Sequence, residues 1–219
     1  MYRKDYMRLL KPYLSICQAF KCVPFDFDRK SGIVVKTGNA SQIWSFRLQC
    51  ILSVVYTVAL VLQICVGRLS LTDSFMGAVF VLVHIIQTST RWNYSLDKSQ
   101  GQLINSLVRF EDQVLQDLPP ARQSLGLRLM RIFLYIANIS VIGIPILVSL
   151  LLTYVPTMPP FLLSMLPVAV EKCNLQHLVV RVCETWIQCH MMLSAALSVI
   201  YILFGGIVCI LTYCRILDE

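Results

Sequence analysis

Charge is what this chain has least of. Only 14% of its 219 residues are Asp, Glu, Lys or Arg, against about 25% in soluble domains. With 57% hydrophobic residues, too few polar groups remain to cover a water-soluble core of this size. Carboxylates are the rarer sign, and none falls inside the long apolar runs 48–67, 74–90, 132–155 and 185–214. That argues against a proton-coupled carrier, which needs intramembrane acids. Histidine occurs three times, with no HxxxH or HxxHH cluster, which excludes the membrane di-iron pattern. No GxSxG, HExxH or P-loop occurs, so no catalytic residues are expected. The nine cysteines form no CxxC pair and no Cys/His group with zinc spacing. No metal or cofactor is expected, and most thiols read as small buried apolar groups. No cleavable leader is expected, because the first apolar run begins at Leu48.

What is there is organised around Leu48–Gly67, twenty residues without a charge between Arg47 and Arg68. As a helix it covers about 30 Å, the hydrocarbon thickness of a bilayer. Trp44 precedes it, at the headgroup position that indoles favour. The linker Arg68–Asp73 is six residues long, so the next span, Ser74–Thr90, runs back antiparallel. Ile132–Val170 is uncharged but divided by prolines, giving a third span at Ile132–Val155 with Pro145 as a kink, then an outer loop over 156–184 with Asn174–Glu184 as a short helix within it. Thr185–Cys214 is the fourth span, thirty residues or about 45 Å as a helix. Gly205-Gly206 is a place for bending or close packing. The fold class expected is therefore all-α: a polytopic membrane bundle of four transmembrane helices plus cytosolic amphipathic helices.

The loops orient the spans. Residues 1–47, 91–131 and 215–219 hold sixteen of the nineteen Lys and Arg; Arg68, Lys172 and Arg181 lie on the other side. Basic loops stay in the cytosol, which places both termini there, in a plasma-membrane protein. Sequons at Asn39, Asn93 and Asn138 should then carry no glycan. In the N-terminal segment, Leu9, Leu10, Tyr13, Ile16, Cys17 and Phe20 recur at helical spacing. Pro12 suits the first turn of that helix, and FDFDRKSG reads as a polar loop. In the second basic segment, Leu103, Leu107, Phe110, Val114 and Leu118 form one helical face, opened by Ser99 and Gln102 as a capping box. The plain reading of that face is packing on the membrane surface or neighbouring helix ends; the sharper one is a partner-binding helix.

Four side chains stand out as ligand candidates. His84 is an ionisable group near the middle of a span, where such residues are functional by default; a structural hydrogen bond across helices is the plainer alternative. His190 is expected toward the outer end of the fourth span, Tyr154 at the outer end of the third, and Tyr56 inside the first. Together they can line an outward-facing apolar pocket with a few polar anchors, although interfacial tyrosines are usually belt residues. Cys173 and Cys183 share the outer loop and are a candidate disulfide.

The chain also resembles the N-terminal portion of an arthropod seven-span chemoreceptor of the gustatory and odorant superfamily. The resemblance lies in Leu10-Lys11-Pro12 with its following helix, in Cys22-Val23-Pro24-Phe25-Asp26 before the first span, and in the layout of short outer, long inner and long outer loops. It implies a ligand-gated cation channel, assembled as a homo- or hetero-oligomer (a tetramer), with a tastant or odorant as ligand and the lipid bilayer as surroundings; nucleic acid is not a partner. It implies a pore in the last span and a pocket among the outer halves of the second, third and fourth, so a chain of this length is expected to be a fragment or truncated form with pocket helices but no pore. Against this stand a four-span adaptor or accessory protein, and a small membrane enzyme or lipid-handling protein sustained by His84 and His190. Tetraspanin-like and claudin-like adaptors are disfavoured: 156–184 has no Cys-Cys-Gly, and the first outer loop is too short for an extracellular sheet.

Overall fold

The computed structural model describes residues 7–28, 31–67, 69–114, 125–155, 161–165 and 175–218. Helix α1 (Met7–Ala19) leads to strands β1 (Phe25–Asp28) and β2 (Ile33–Lys36). Then come α2 (Ala40–Val66), α3 (Leu71–Arg91), α4 (Ser99–Val114) and α5 (Leu125–Tyr154). A 3-10 turn at Leu162–Met165 precedes α6 (Leu175–Ala196), a π turn at Leu197–Phe204 and α7 (Gly205–Asp218). Among the described residues, four helical stretches are long and apolar enough to cross a membrane: Ala40–Val66, Leu71–Arg91, Ile132–Tyr154 and Leu175–Ile210. Their outward faces are apolar, with Val55, Leu62, Phe75, Val79, Leu147 and Val182 all at least half exposed. Such a surface suits lipid and not water.

The fourth of these stretches corrects the expected boundary. Helix α6 begins at Leu175, ten residues before Thr185, and runs unbroken through Glu184. The segment 175–184 holds neither Pro nor Gly, and Leu178, Val179 and Val182 form an exposed apolar flank. Nothing local stops the helix there, and Glu184 lies inside it.

The contacts divide the chain into two compact units, with boundaries inside α2 and α5 and at the end of α6. The first holds residues 1–46, 93–140 and 196–219. In it α1 buries Met7, Leu10, Tyr13, Leu14 and Cys17, while Pro12 sits inside the helix and not in its first turn. The helix ends where Lys21 takes φ +54° and the Cys22 amide donates to the Cys17 carbonyl at 3.0 Å. The next segment is a hairpin and not a polar loop: β1 and β2 pair antiparallel from Phe25↔Lys36 to Asp28↔Ile33. Gly32 makes the return possible at φ +69°, a conformation that costs glycine little. The all-α expectation therefore holds apart from this small sheet.

Helix α4 covers the β2 edge. The Val34 amide donates to Asn105 Oδ1 at 2.8 Å, and Asn105 Nδ2 donates to the Val34 carbonyl at 2.7 Å. One side-chain amide thus stands in for a third strand. Gly101, one turn earlier, faces Phe25 and Val34. The buried face of α4 is Gly101, Ile104, Leu107 and Val108; Leu103, expected on it, is exposed. Asn105→Leu removes both bonds and leaves the Val34 amide and carbonyl without their partner. It is expected to cost about 1–3 kcal/mol, seen as faster hydrogen exchange at the Val34 amide.

On the other side of this unit, Tyr201 packs on Tyr13 with ring centroids 5.3 Å apart and donates to Asn138 Oδ1 at 2.8 Å. Gln100 donates to Ser198 across α4 and the π turn at 3.1 Å. Gly206 faces Leu107, with room for a methyl group between them, so the contact does not depend on glycine. Burial, with Cys17 beside it, raises the Tyr13 phenol well above its ordinary value. The folded state then holds the proton longer than the unfolded one, so stability is full below about pH 10 and falls as pH rises further. The difference in unfolding free energy between wild type and Tyr13→Phe should be flat up to that pH and move against the wild type above it.

The second unit holds residues 47–92 and 141–195. Its core joins Tyr56 and Leu60 of α2, Val81 of α3 and Met191 of α6, with Leu162 of the 3-10 turn against them.

Candidate functional site

The site in the second unit is built from a polar stripe on an apolar helix. On α2, Gln49, Ser53, Tyr56 and Thr57 are all buried, at spacings of four, three and one that keep them on one face. Ser53 and Thr57 return their hydroxyls to the carbonyls of Cys50 and Ser53, each at 2.8 Å. Thr57 also meets Thr88 of α3 at 3.0 Å. Tyr56 is left to bond across helices.

Its partners come from α6. The Tyr56 hydroxyl donates to Glu184 Oε1 at 2.7 Å and accepts from Gln188 Nε2 at 3.1 Å. Glu184 and Gln188 are four residues apart, hence on one face. The same Gln188 nitrogen lies 2.6 Å from His84 Nε2 on α3, and His84 Nδ1 lies 2.7 Å from the Phe80 carbonyl. A carbonyl only accepts, so Nδ1 carries hydrogen; Nε2 then accepts from the amide, and the imidazole is the neutral Nδ1–H tautomer. The Tyr56 and His84 rings lie 5.4 Å apart. Glu184 Oε1 takes a second bond from the Leu162 amide at 3.1 Å. The 3-10 turn over Glu184 is held by Phe161 against Phe80 and by Gln63 bonded to Ser164. All four site side chains are nearly or fully buried, and Glu184 Oε2 has no hydrogen-bond partner among the described residues. The arrangement offers a carboxylate oxygen, a phenol and an imidazole fixed in one tautomer.

A second polar group lies farther along the same helices. His190 Nε2 is 3.4 Å from Gln49 Nε2, and its ring meets Trp186 edge-on at 4.2 Å. Gln49, Leu52, Arg91, Trp186, Ile187 and His190 line a small cleft. Gln49 precedes Tyr56 by two turns of α2, and Arg91 closes α3. His190 therefore sits level with Gln49, the tenth residue of α2, and with the end of α3, and it is the sixteenth residue of its helix where a span starting at Thr185 would make it the sixth. The shift follows from α6 starting ten residues early.

The structure brings two of the four candidates together, Tyr56 and His84. His190 belongs to the separate cleft, and Tyr154 is 80% exposed at the end of α5 with no place in either group. Cys173 lies outside the described residues; Cys183 is an exposed thiol on α6. Sequence reasoning missed Glu184, Gln188, Gln49 and Arg91. The Glu184/Gln188 spacing was a usable signal, but only once α6 is known to extend back past Glu184. Among the described residues no group of three His, Cys, Asp or Glu is placed to hold a metal. No family model, curated protein or solved structure matches the chain.

Proposed function

We propose that this chain is a chemosensory membrane receptor of the ligand-gated cation-channel type, whose four spans supply helices of the ligand-binding bundle. The observation that carries the reading is the buried cluster of Tyr56, His84, Glu184 and Gln188, contributed by three apolar helices. Polar groups at that depth are costly and are characteristic of sites, and an apolar enclosure with a few directed polar groups is how small molecules are recognised. A protein that used its spans only as anchors would have no need of a phenol, a carboxylate and an imidazole at one level.

The proposed setting is the plasma membrane with both termini in the cytosol. The distribution of Lys and Arg supports this.

The test is a thermal-shift screen of the purified full chain in detergent against sugars, bitter alkaloids and volatile odorants. At least one class should raise Tm. The shift should disappear in Tyr56→Phe and His84→Phe and persist in Tyr154→Phe. If no class shifts Tm, or if shifts ignore both site variants, the receptor reading fails and the adaptor reading replaces it.

A further inference from the structure

Every hydrogen in the polar chain on α2, α3 and α6 has a direction. His84 Nδ1–H goes to the Phe80 carbonyl. The two amide hydrogens of Gln188 go to His84 Nε2 and to the Tyr56 oxygen, and the Tyr56 hydroxyl goes to Glu184 Oε1. The chain runs toward the carboxyl group. Its one oxygen without a hydrogen-bond partner among the described residues is Glu184 Oε2. That oxygen can gain or lose a proton without rearranging any other member of the chain.

The carboxyl group lies beneath a short cover. The Leu162 amide of the 3-10 turn donates to Glu184 Oε1 at 3.1 Å. Phe161 meets Phe80 edge-on with ring centroids 5.9 Å apart, and Ser164 is bonded to Gln63. With these contacts in place Glu184 is 0% exposed.

The groups that face Glu184 decide which charge state suits this closed arrangement. Helix α2 presents the Tyr56 phenol. Helix α3 presents His84, one amide away and neutral in the tautomer its bonds require. The turn presents a backbone amide. On α6, Arg181 and His177 lie three and seven residues earlier, on the same face. None of the contacts made by Glu184 among the described residues is with a cation, and Arg181 Nε and His177 Nε2 also have no hydrogen-bond partner there. Two donors on Oε1 favour the ionised form, by the margin between a charge-assisted and a neutral hydrogen bond. Burial of a carboxylate with one oxygen unbonded and no cation against it opposes that form, and this penalty is the larger of the two. The closed turn therefore goes with the neutral acid. A negative charge at Glu184 is relieved when water replaces the turn.

We propose that Glu184 is a proton-operated latch. As the neutral acid it keeps residues 161–165 closed over the Tyr56–Gln188–His84 chain; on ionisation it releases the turn and uncovers that chain. In the step the Oε2–H bond breaks, the proton passes to water and the electron pair stays on the carboxylate. The ligand is a proton, so the closed state needs no room for it. Half-buried Arg181 and His177 continue the polar face of α6 from Glu184 to the first turn of the helix and form the edge along which water reaches the carboxyl group. The proposal is independent of the receptor reading, since it needs only the contacts of Glu184.

The test uses the full chain in detergent micelles, grown with isotope-labelled glutamate. Infrared difference spectra should show the carbonyl band of a neutral glutamic acid at about pH 6, where water-exposed glutamates are ionised. The band should be absent from Glu184→Gln and should fade as pH is raised. Over the same interval hydrogen exchange of residues 161–165, taken relative to the unstructured rate at each pH, should rise by up to about tenfold per pH unit, the slope for release of one proton. Glu184→Gln keeps an acceptor for Tyr56 and Leu162 and cannot ionise, so its exchange should stay at the low-pH level throughout. Absence of the band from the unmutated chain at about pH 6 overturns the proposal without recourse to any variant. So does exchange in 161–165 that is flat with pH, or a pH dependence that survives Glu184→Gln and so belongs to a histidine. An equal rise across Ser99–Val114 also overturns it, because that is unfolding of the chain and not release of one turn.

Discussion

Replacing Gln188 with leucine is expected to destabilise the second unit by about 2 kcal/mol, out of proportion to the loss of one exposed amide. A single nitrogen serves two buried acceptors, the Tyr56 hydroxyl at 3.1 Å and His84 Nε2 at 2.6 Å. Interhelical hydrogen bonds in membrane proteins average only about 0.6 kcal/mol each. The larger part of the effect comes from the imidazole nitrogen left without a donor, a penalty of about 1–3 kcal/mol. A double-mutant cycle separates the two parts. On a His84→Phe background no nitrogen remains to be orphaned, so Gln188→Leu should cost about half as much or less. Reversible unfolding in mixed micelles measures both legs. Equal cost on the two backgrounds would mean that the Gln188–His84 bond contributes nothing.

The same cluster shows which parts of the fold were legible in the sequence. Spans α2 and α3 were readable from their charge-free runs, although each helix starts before its run, α2 at Ala40 with Arg47 inside it and α3 at Leu71 with Asp73 inside it. Helix α4 was readable from its apolar period, but its buried face turned out centred on Ile104, not Leu103. Neighbouring apolar residues at 100° intervals leave that choice to the partner, here the β2 edge and its bond to Asn105. The hairpin was hidden because each strand is four residues long and β1 alternates Phe with Asp, a pattern that also describes a polar loop.

Glu184 was misplaced for a related reason. A carboxylate near the end of an apolar run is ordinarily the mark of a boundary. Here it lies inside α6 because Tyr56 and the Leu162 amide, 128 and 22 residues away in sequence, both donate to it. No local pattern records partners at that separation. The position of His190 inherited the same error, since counting began at Thr185, ten residues past the first residue of α6. Tyr56 and Tyr154 are chemically identical, and the sequence had no means of telling that one is 3% exposed and the other 80%.

Tyr201→Ala is the substitution expected to cost most, about 3–5 kcal/mol, the usual range for emptying a large aromatic site in a core. Tyr201 is fully buried, with Leu197 and Ile200 buried beside it in the π turn. Its ring lies against Tyr13 of α1, and its hydroxyl donates to Asn138 of α5. It is thus shared by three segments distant in sequence, and removing it opens a void that none of them can fill by itself. Tyr201→Phe keeps the packing and loses one hydrogen bond, so it should cost about 1 kcal/mol. The mild value has a structural reason: Asn138 keeps its other bond, Nδ2 to the Leu134 carbonyl at 2.9 Å. Hydrogen exchange reports where the loss falls. In Tyr201→Ala the amides of Met7–Ala19 and of the β1–β2 ladder should lose protection together, because α1 and the hairpin belong to the same compact unit. The amides of 71–91 in the other unit should change far less. Uniform loss across both units would show that the chain unfolds as one cooperative body, and a cost under about 1 kcal/mol would show that Tyr201 does not hold α1 in place.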